Sequence, residues 1–145
     1  MMHPLPHAYR AAGTAEPAGL VTLSSPGLVE IASAAPVEFD GPGDRWSPET
    51  LVTAAVADCL ILTFRAIAKA SNLEWTSIRC EVEATLDRVD KVMRFSRFDT
   101  VATIEIPSGV EAERARRVME KSERNCIISN SLKAEAHVEI VIVQR

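Results

Sequence analysis

The chain has 145 residues, 47% of them hydrophobic and 25% charged, with a formal net charge of −4. That length and balance suit one globular domain with a buried core and exclude a disordered chain. The acidic balance, with no basic stripe interleaved with aromatics, argues against a nucleic-acid partner, whose phosphates call for a positive surface.

Residues 1–18 read as a loosely structured N-terminal segment. They hold Pro4, Pro6 and Pro17 and no apolar run of the kind a secretory signal carries. In GLVTLSSPGLVEIAS, Leu20, Thr22 and Ser24 alternate with Val21 and Leu23. Ser25-Pro26-Gly27 is a turn signal, and Leu28 to Ile31 resumes the strand pattern, so the segment predicts a β-hairpin. VEFDGPGDRW then reads as a Gly/Pro loop.

The stretch SPETLVTAAVADC, residues 47–59, opens as a helix should. Ser47 is a good N-cap, Pro48 falls where a missing N–H costs nothing, and Glu49 faces the positive end of the helix dipole. The helix should run to Ser71-Asn72. Its apolar run, Leu51 to Ala68, is broken by Asp58 and Arg65, so it reads as a central helix packed on several neighbours and not as a membrane span.

Ile78, Cys80, Val82, Ala84 and Leu86 alternate with Arg79, Glu81, Glu83, Thr85 and Asp87, the mark of a strand with one wet face. A hairpin turn is expected between Asp87 and Met93. Phe98, Thr100, Ala102, Ile104 and Ile106 form the inner face of the next strand, which Pro107-Ser108-Gly109 stops. Residues 110–124 predict a charged helix with Val110, Arg114, Val118 and Met119 toward one side and a Glu113–Arg117 pair. Ile127 to Leu132 suggests a short helical turn, and Ala134 to Ile142 a final strand. The order ββ-α-ββ-α-β, with helices segregated from hairpins, is an α+β pattern.

Three cysteines, Cys59, Cys80 and Cys126, form no CxxC and no even set. No disulfide framework is expected, and a reducing cytoplasm is the expected setting. His3, His7 and His137 lack metal-ligand spacing, so no metal site is expected. Cys80 lies in register with Ile78 and Val82 and reads as core packing. Cys59, inside an apolar run, reads on position alone as core filling, with a nucleophile as the alternative. If it is reactive, a cation must outweigh the neighbouring Asp58; Arg10 and Arg45, both in loops, are the candidates. Cys126 follows the charged helix directly, and a helical turn after it would place it at a helix N-terminus that favours thiolate.

Taken together, these residues resemble the osmotically inducible protein C and organic hydroperoxide resistance (OsmC/Ohr) family. The resemblance rests on Pro48-Glu49-Thr50-Leu51 with Cys59 ten residues after the glutamate, on Cys126-Ile127-Ile128-Ser129 ahead of the last strand, and on the element order. It implies one OsmC-like domain over residues 1–145, antiparallel β-sheets around two central helices, and an intertwined homodimer. It implies a thiol peroxidase acting on organic hydroperoxides without a cofactor. Cys59 resembles the peroxidatic cysteine and Cys126 the resolving one, with an external lipoyl- or thioredoxin-type dithiol as reductant. Glu49 resembles a catalytic glutamate that holds an arginine near the sulfur, with Arg10 in that role and Arg45 as substitute. Ten residues of helix span about 15 Å, so Glu49 would reach the thiol of a partner subunit or act through a bridging arginine. Trp46, Leu62 and Phe64 read either as a hydroperoxide pocket or as ordinary core. Two other functions fit the same fold: a small hydrophobic ligand-binding protein, and a redox sensor with a reversible Cys59–Cys126 disulfide.

Overall fold

The computed structural model describes residues 3–145, which form two units, residues up to Leu51 and Val52–Arg145. In the first unit, β1 (Ala12–Thr14), β2 (Val21–Ser24) and β3 (Ile31–Ser33) make an antiparallel sheet in that order. The expected hairpin is β2–β3. The segment expected to be loose also supplies β1, which pairs Ala12 with Ser24 and Thr14 with Thr22. After β3 the chain makes a 3-10 turn at Val37–Phe39 and returns, so that Ala34 N–H donates to Trp46 O at 3.0 Å. Gly41 permits this return, because a Cβ there would overlap the Ala35 carbonyl.

Helix α1 spans Pro48–Ala70. Its start is closed reciprocally: Thr50 N–H donates to Ser47 Oγ at 3.1 Å, and Ser47 N–H donates to Thr50 Oγ1 at 2.8 Å. Two amides that the helix itself cannot satisfy are thereby paired. At the other end Asn72 takes φ 53°. Leu73 N–H reaches back to Ala68 O at 2.9 Å and Asn72 N–H to Lys69 O at 3.2 Å. This is the Schellman arrangement, with asparagine in the left-handed position.

The second unit holds the rest of α1 with β4 (Ser77–Val89), β5 (Val92–Ile106), α2 (Ala112–Arg124), α3 (Ile127–Ser131) and β6 (Glu135–Gln144). The β4–β5 hairpin is longer than its alternation suggests, for two local reasons. Asp90 and Lys91, both at positive φ, close it in two residues between the paired Val89 and Val92. A bulge then shifts the register, since Thr85 pairs with Arg97 but Leu86 pairs with Phe95. The extra residue, Ser96, breaks the period-two pattern, which is why the sequence reads as turn there.

The expectation of antiparallel sheets is corrected at β6. It runs parallel to β5, pairing Phe98 with Ala136 and Ile104 with Ile142, so the β4-β5-β6 sheet is mixed. Parallel neighbours need a crossover, and the α2–α3 segment provides it. The charged helix also pairs differently: Glu113 meets Arg116, at 4.0 Å, and not Arg117.

The core follows from two stripes. Val56, Leu60, Phe64 and Ala68, four residues apart on α1, are buried. So are Phe98, Thr100, Ala102, Ile104 and Ile106, alternate residues of β5. Ala115, Val118, Met119 and Ser122 of α2 complete it. Phe64 is fully buried and meets Trp75 edge-on at 5.4 Å. Phe64→Ala should therefore destabilise the fold by about 3–5 kcal/mol, read as a lower urea midpoint with an unchanged slope.

Candidate functional site

Cys59 lies on α1 between the buried Val56 and Leu60 on one side and the exposed Asp58 on the other. Successive helix residues are turned by about 100°, so Asp58 faces outward while Cys59 packs against the core at intermediate exposure. The carboxylate that the sequence sets beside the thiol is thus directed away from it. One turn on, Thr63 Oγ1 lies 4.0 Å from Cys59 Sγ.

Cys126 comes from the other end of the unit. It is the N-cap of α3, its carbonyl accepting Asn130 N–H at 2.9 Å, and it is completely buried. Cys59 packs against the core cluster to which Cys126 belongs, and its side chain bears on the Cys126 thiol, so folding brings the two into one neighbourhood. All three cysteines are free thiols. Burial pushes the Cys126 thiol up, and the Cys59 neighbour adds to this; hydrogen bonds from the side chain and backbone of Ser129 oppose it. The net direction is upward, which corrects the expectation that a helix N-terminus would favour thiolate here. Two donors at the end of a five-residue helix do not offset removal of the sulfur from water.

Cys80, on β4, faces the core with Ile78, Val82 and Ala84 as expected, yet remains only partly buried. Burial, and then the charge of Cys126, raise its thiol from 9.0 to about 11.

The remaining predicted residues have these places. Glu49 stands in the first turn of α1 with Oε1 shielded from solvent. Arg10 is exposed, its carbonyl accepting Ser25 Oγ at 2.8 Å. Arg45 lies 4.0 Å from Asp44. Trp46 and Leu62 show apolar surface, at 53% and 51% exposure, whereas Phe64 is core. Among the described residues no His/Cys/Asp/Glu group is arranged to hold a metal ion.

Two side chains, Ser129 and Thr63, escaped the sequence reading, and so did the influence of Cys126 on Cys80. Ser129 was visible in Cys126-Ile127-Ile128-Ser129, and the capping-box spacing could have assigned its donors to Cys126. Thr63 sits at i+4 from Cys59, a spacing that puts both on one helix face. Nothing local to Cys80 shows that it lies near Cys126. A cavity of about 330 Å³ is lined by Leu60, Glu123, Arg124, Ser129, Asn130, Ala134, Ala136 and Val138; it takes in Ser129, which bears on Cys126, but neither Cys59 nor Cys126 lines it.

A thiol that titrates near 11 when folded and near 9.0 when free stabilises the fold below the lower value, and the benefit is lost as pH rises through the upper one. Unfolding free energy should therefore decline between about pH 9 and 11, and less steeply in Cys80→Ser. Iodoacetamide labelling of Cys80, followed by peptide mass spectrometry, should rise about tenfold per pH unit from neutrality.

A sequence model of the family described as OsmC-like protein matches residues 41–141. The chain is 25% identical over 131 residues to the uncharacterized protein YmaD of Bacillus subtilis, covering 88% of this chain and 81% of that protein. It is 27% identical over 89 residues to peroxiredoxin OsmC of Escherichia coli, covering 61% and 62% of the two chains. An organic hydroperoxide resistance protein from Elizabethkingia anophelis superposes with a TM-score of 0.78 at 18% identity, covering 99% of this chain and 100% of that one.

Proposed function

This chain belongs to the OsmC family, and from that premise we propose that it is a thiol peroxidase that reduces organic hydroperoxides. The observation that carries the reading is that Cys59, partly exposed on α1, packs against the core cluster in which Cys126 is buried at the start of α3, and bears on its thiol. A relative bearing the name peroxiredoxin and a structural neighbour described as an organic hydroperoxide resistance protein support it.

In the proposed cycle the Cys59 thiolate attacks the outer oxygen of the hydroperoxide. The O–O bond breaks, the organic fragment leaves as an alcohol after taking a proton, and the sulfur becomes a sulfenic acid. Cys126 then attacks that sulfur, a disulfide forms, and water leaves. Their shared neighbourhood in the reduced protein favours this second step, because it holds the attacking thiol near the sulfenic acid. An external dithiol of lipoyl or thioredoxin type restores both thiols by exchange, with no other cofactor. The cavity with Leu60, Ala134, Ala136, Val138 and Ser129 on its wall offers room for an organic fragment.

Glu49 and an arginine, Arg10 or Arg45, are the proposed charge partners of the reacting sulfur; the arginine would steady the thiolate and the departing alkoxide. On one straight α1, Glu49 lies about 15 Å of helix rise from Cys59. The proposed arrangement therefore has Glu49 serve the thiol of a second copy or act through the arginine. A homodimer accounts for α1 as well. The helix is long and apolar enough to cross a membrane, yet only 22% of its most apolar window is buried. Covering that surface with a second copy in the cytoplasm removes the apolar area from water.

Reduced protein mixed with one equivalent of cumene hydroperoxide should lose two thiols and yield a Cys59–Cys126 peptide, faster than with hydrogen peroxide. Cys59→Ser should consume peroxide no faster than buffer, and Cys126→Ser should stop at a sulfenic acid that dimedone traps. Thiols that survive the peroxide, or a ligand that co-purifies in the cavity, would favour the binding-protein reading. Light scattering should give twice the chain mass, and Leu62→Glu should shift the population toward monomer.

A further inference from the structure

The second unit has another cleft, of about 220 Å³, where the end of α1 meets one face of α2. Ile67 and Ser71 line it from the α1 end, and Arg114, Arg117, Val118 and Lys121 line it from α2. None of the three thiols lines it, and it shares no residue with the cavity at Ser129. The α2 residues fall at i, i+3, i+4 and i+7, the spacing of one helix face. Val118 is buried and Ile67 half-buried, so the cleft joins an apolar floor to three cations.

Folding accounts for one of those cations. Arg114 Nη2 donates to Ser71 O at 2.8 Å and to Asn72 O at 3.4 Å, closing the carbonyl end of α1. It does not account for the other two. Arg117 and Lys121 are exposed, and their side chains make no hydrogen bond or ion pair among the described residues. Glu113, one turn before Arg117, pairs with Arg116 instead. Helix α2 also carries Glu120 and Glu123, yet no carboxylate lines the cleft. Like charges three and four residues apart work against a helix. In a chain of net charge −4, three cations gathered without a carboxylate do not follow from overall composition.

We propose that this cleft is a binding site for the phosphate group of a small organic phosphate. Two guanidinium groups and one ammonium suit that group, because arginine presents paired N–H donors to its oxygens and lysine adds a mobile point charge. Arg114 is already held in place by the end of α1, and those bonds use one of its three nitrogens. An anion seated beside Arg117 and Lys121 offsets their repulsion. Ile67 and Val118 receive the carbon body of the ligand, and the size of the cleft keeps that body small. The site does not depend on the peroxidase reading.

The test titrates isotope-labelled full-length protein with phenyl phosphate, whose ring supplies the apolar body, and follows the backbone amides by NMR. Amides around Arg114–Lys121 and Ile67–Ser71 should shift saturably. Inorganic phosphate, which lacks the body, and benzoate, which lacks the second charge, should each bind several-fold more weakly. Arg117→Gln combined with Lys121→Gln should weaken phenyl phosphate binding about tenfold and leave the urea midpoint unchanged, since neither side chain has a partner in the fold. Arg88→Gln combined with Lys133→Gln removes two cations elsewhere and should bind as the wild type does. Co-sedimentation with vesicles containing phosphatidic acid separates the two sources of the phosphate. Sedimentation that Arg117→Gln with Lys121→Gln abolishes would assign it to a lipid headgroup, and binding of phenyl phosphate alone to a soluble ligand. No saturation up to about 10 mM phenyl phosphate together with no vesicle binding would overturn the proposal. So would equal losses in the two double variants, because the attraction would then belong to overall charge and not to the cleft.

Discussion

The core shared by α1, β5 and α2 is the constraint on which the second unit depends. Val56, Leu60, Phe64 and Ala68 recur every fourth residue on α1, and Phe98, Ala102, Ile104 and Ile106 of β5 are buried in the same cluster. Removing these side chains from water is the main driving force available to the unit. The stripe also fixes the rotation of α1 about its axis. Once Val56 and Leu60 point inward, Cys59 must lie at the edge of the core and Asp58 outside it. The chemical environment of the thiol is a consequence of helix packing.

The crossover between β5 and β6 performs the complementary task. A parallel pair cannot be closed by a tight turn, so the chain must travel back over the sheet before β6 begins. It does so as α2, whose Ala115, Val118 and Met119 are buried, and then breaks at Asn125. Cys126 falls at this break, where the backbone leaves helical geometry and a side chain can turn inward against α1. The shared neighbourhood of Cys59 and Cys126 therefore joins two structural necessities: a helix that must bury one stripe, and a connection that must cross the sheet.

Electrostatics at the cluster are governed by burial more than by helix ends. Ser129 donates two hydrogen bonds to Cys126, yet desolvation still raises that thiol. The same effect acts on Cys80. A buried thiol kept protonated is stable against adventitious oxidation, since the thiolate is the reactive form. It also leaves the more accessible Cys59 as the point where chemistry starts in the proposed cycle.

Much of this was legible in the chain. The Ser47-Pro48 start, the alternation along β4 and β5, the charged α2 and the short turn after Cys126 all stand where local rules put them, because capping and periodicity are properties of neighbouring residues. The departures are equally specific. The bulge at Ser96 and the tight Asp90-Lys91 turn lengthen the hairpin, and β1 emerges from a segment that has no strand pattern of its own. Phe64, a pocket candidate in the sequence, lies in the core against Trp75. The sequence by itself determined which residues of β5 face inward and where α1 begins. Only the tertiary structure decided that β6 runs parallel to β5 and that Cys126 joins the core against which Cys59 and Cys80 pack. Periodicity records the face on which a side chain lies, but residues far apart in the chain meet only where packing brings their faces together.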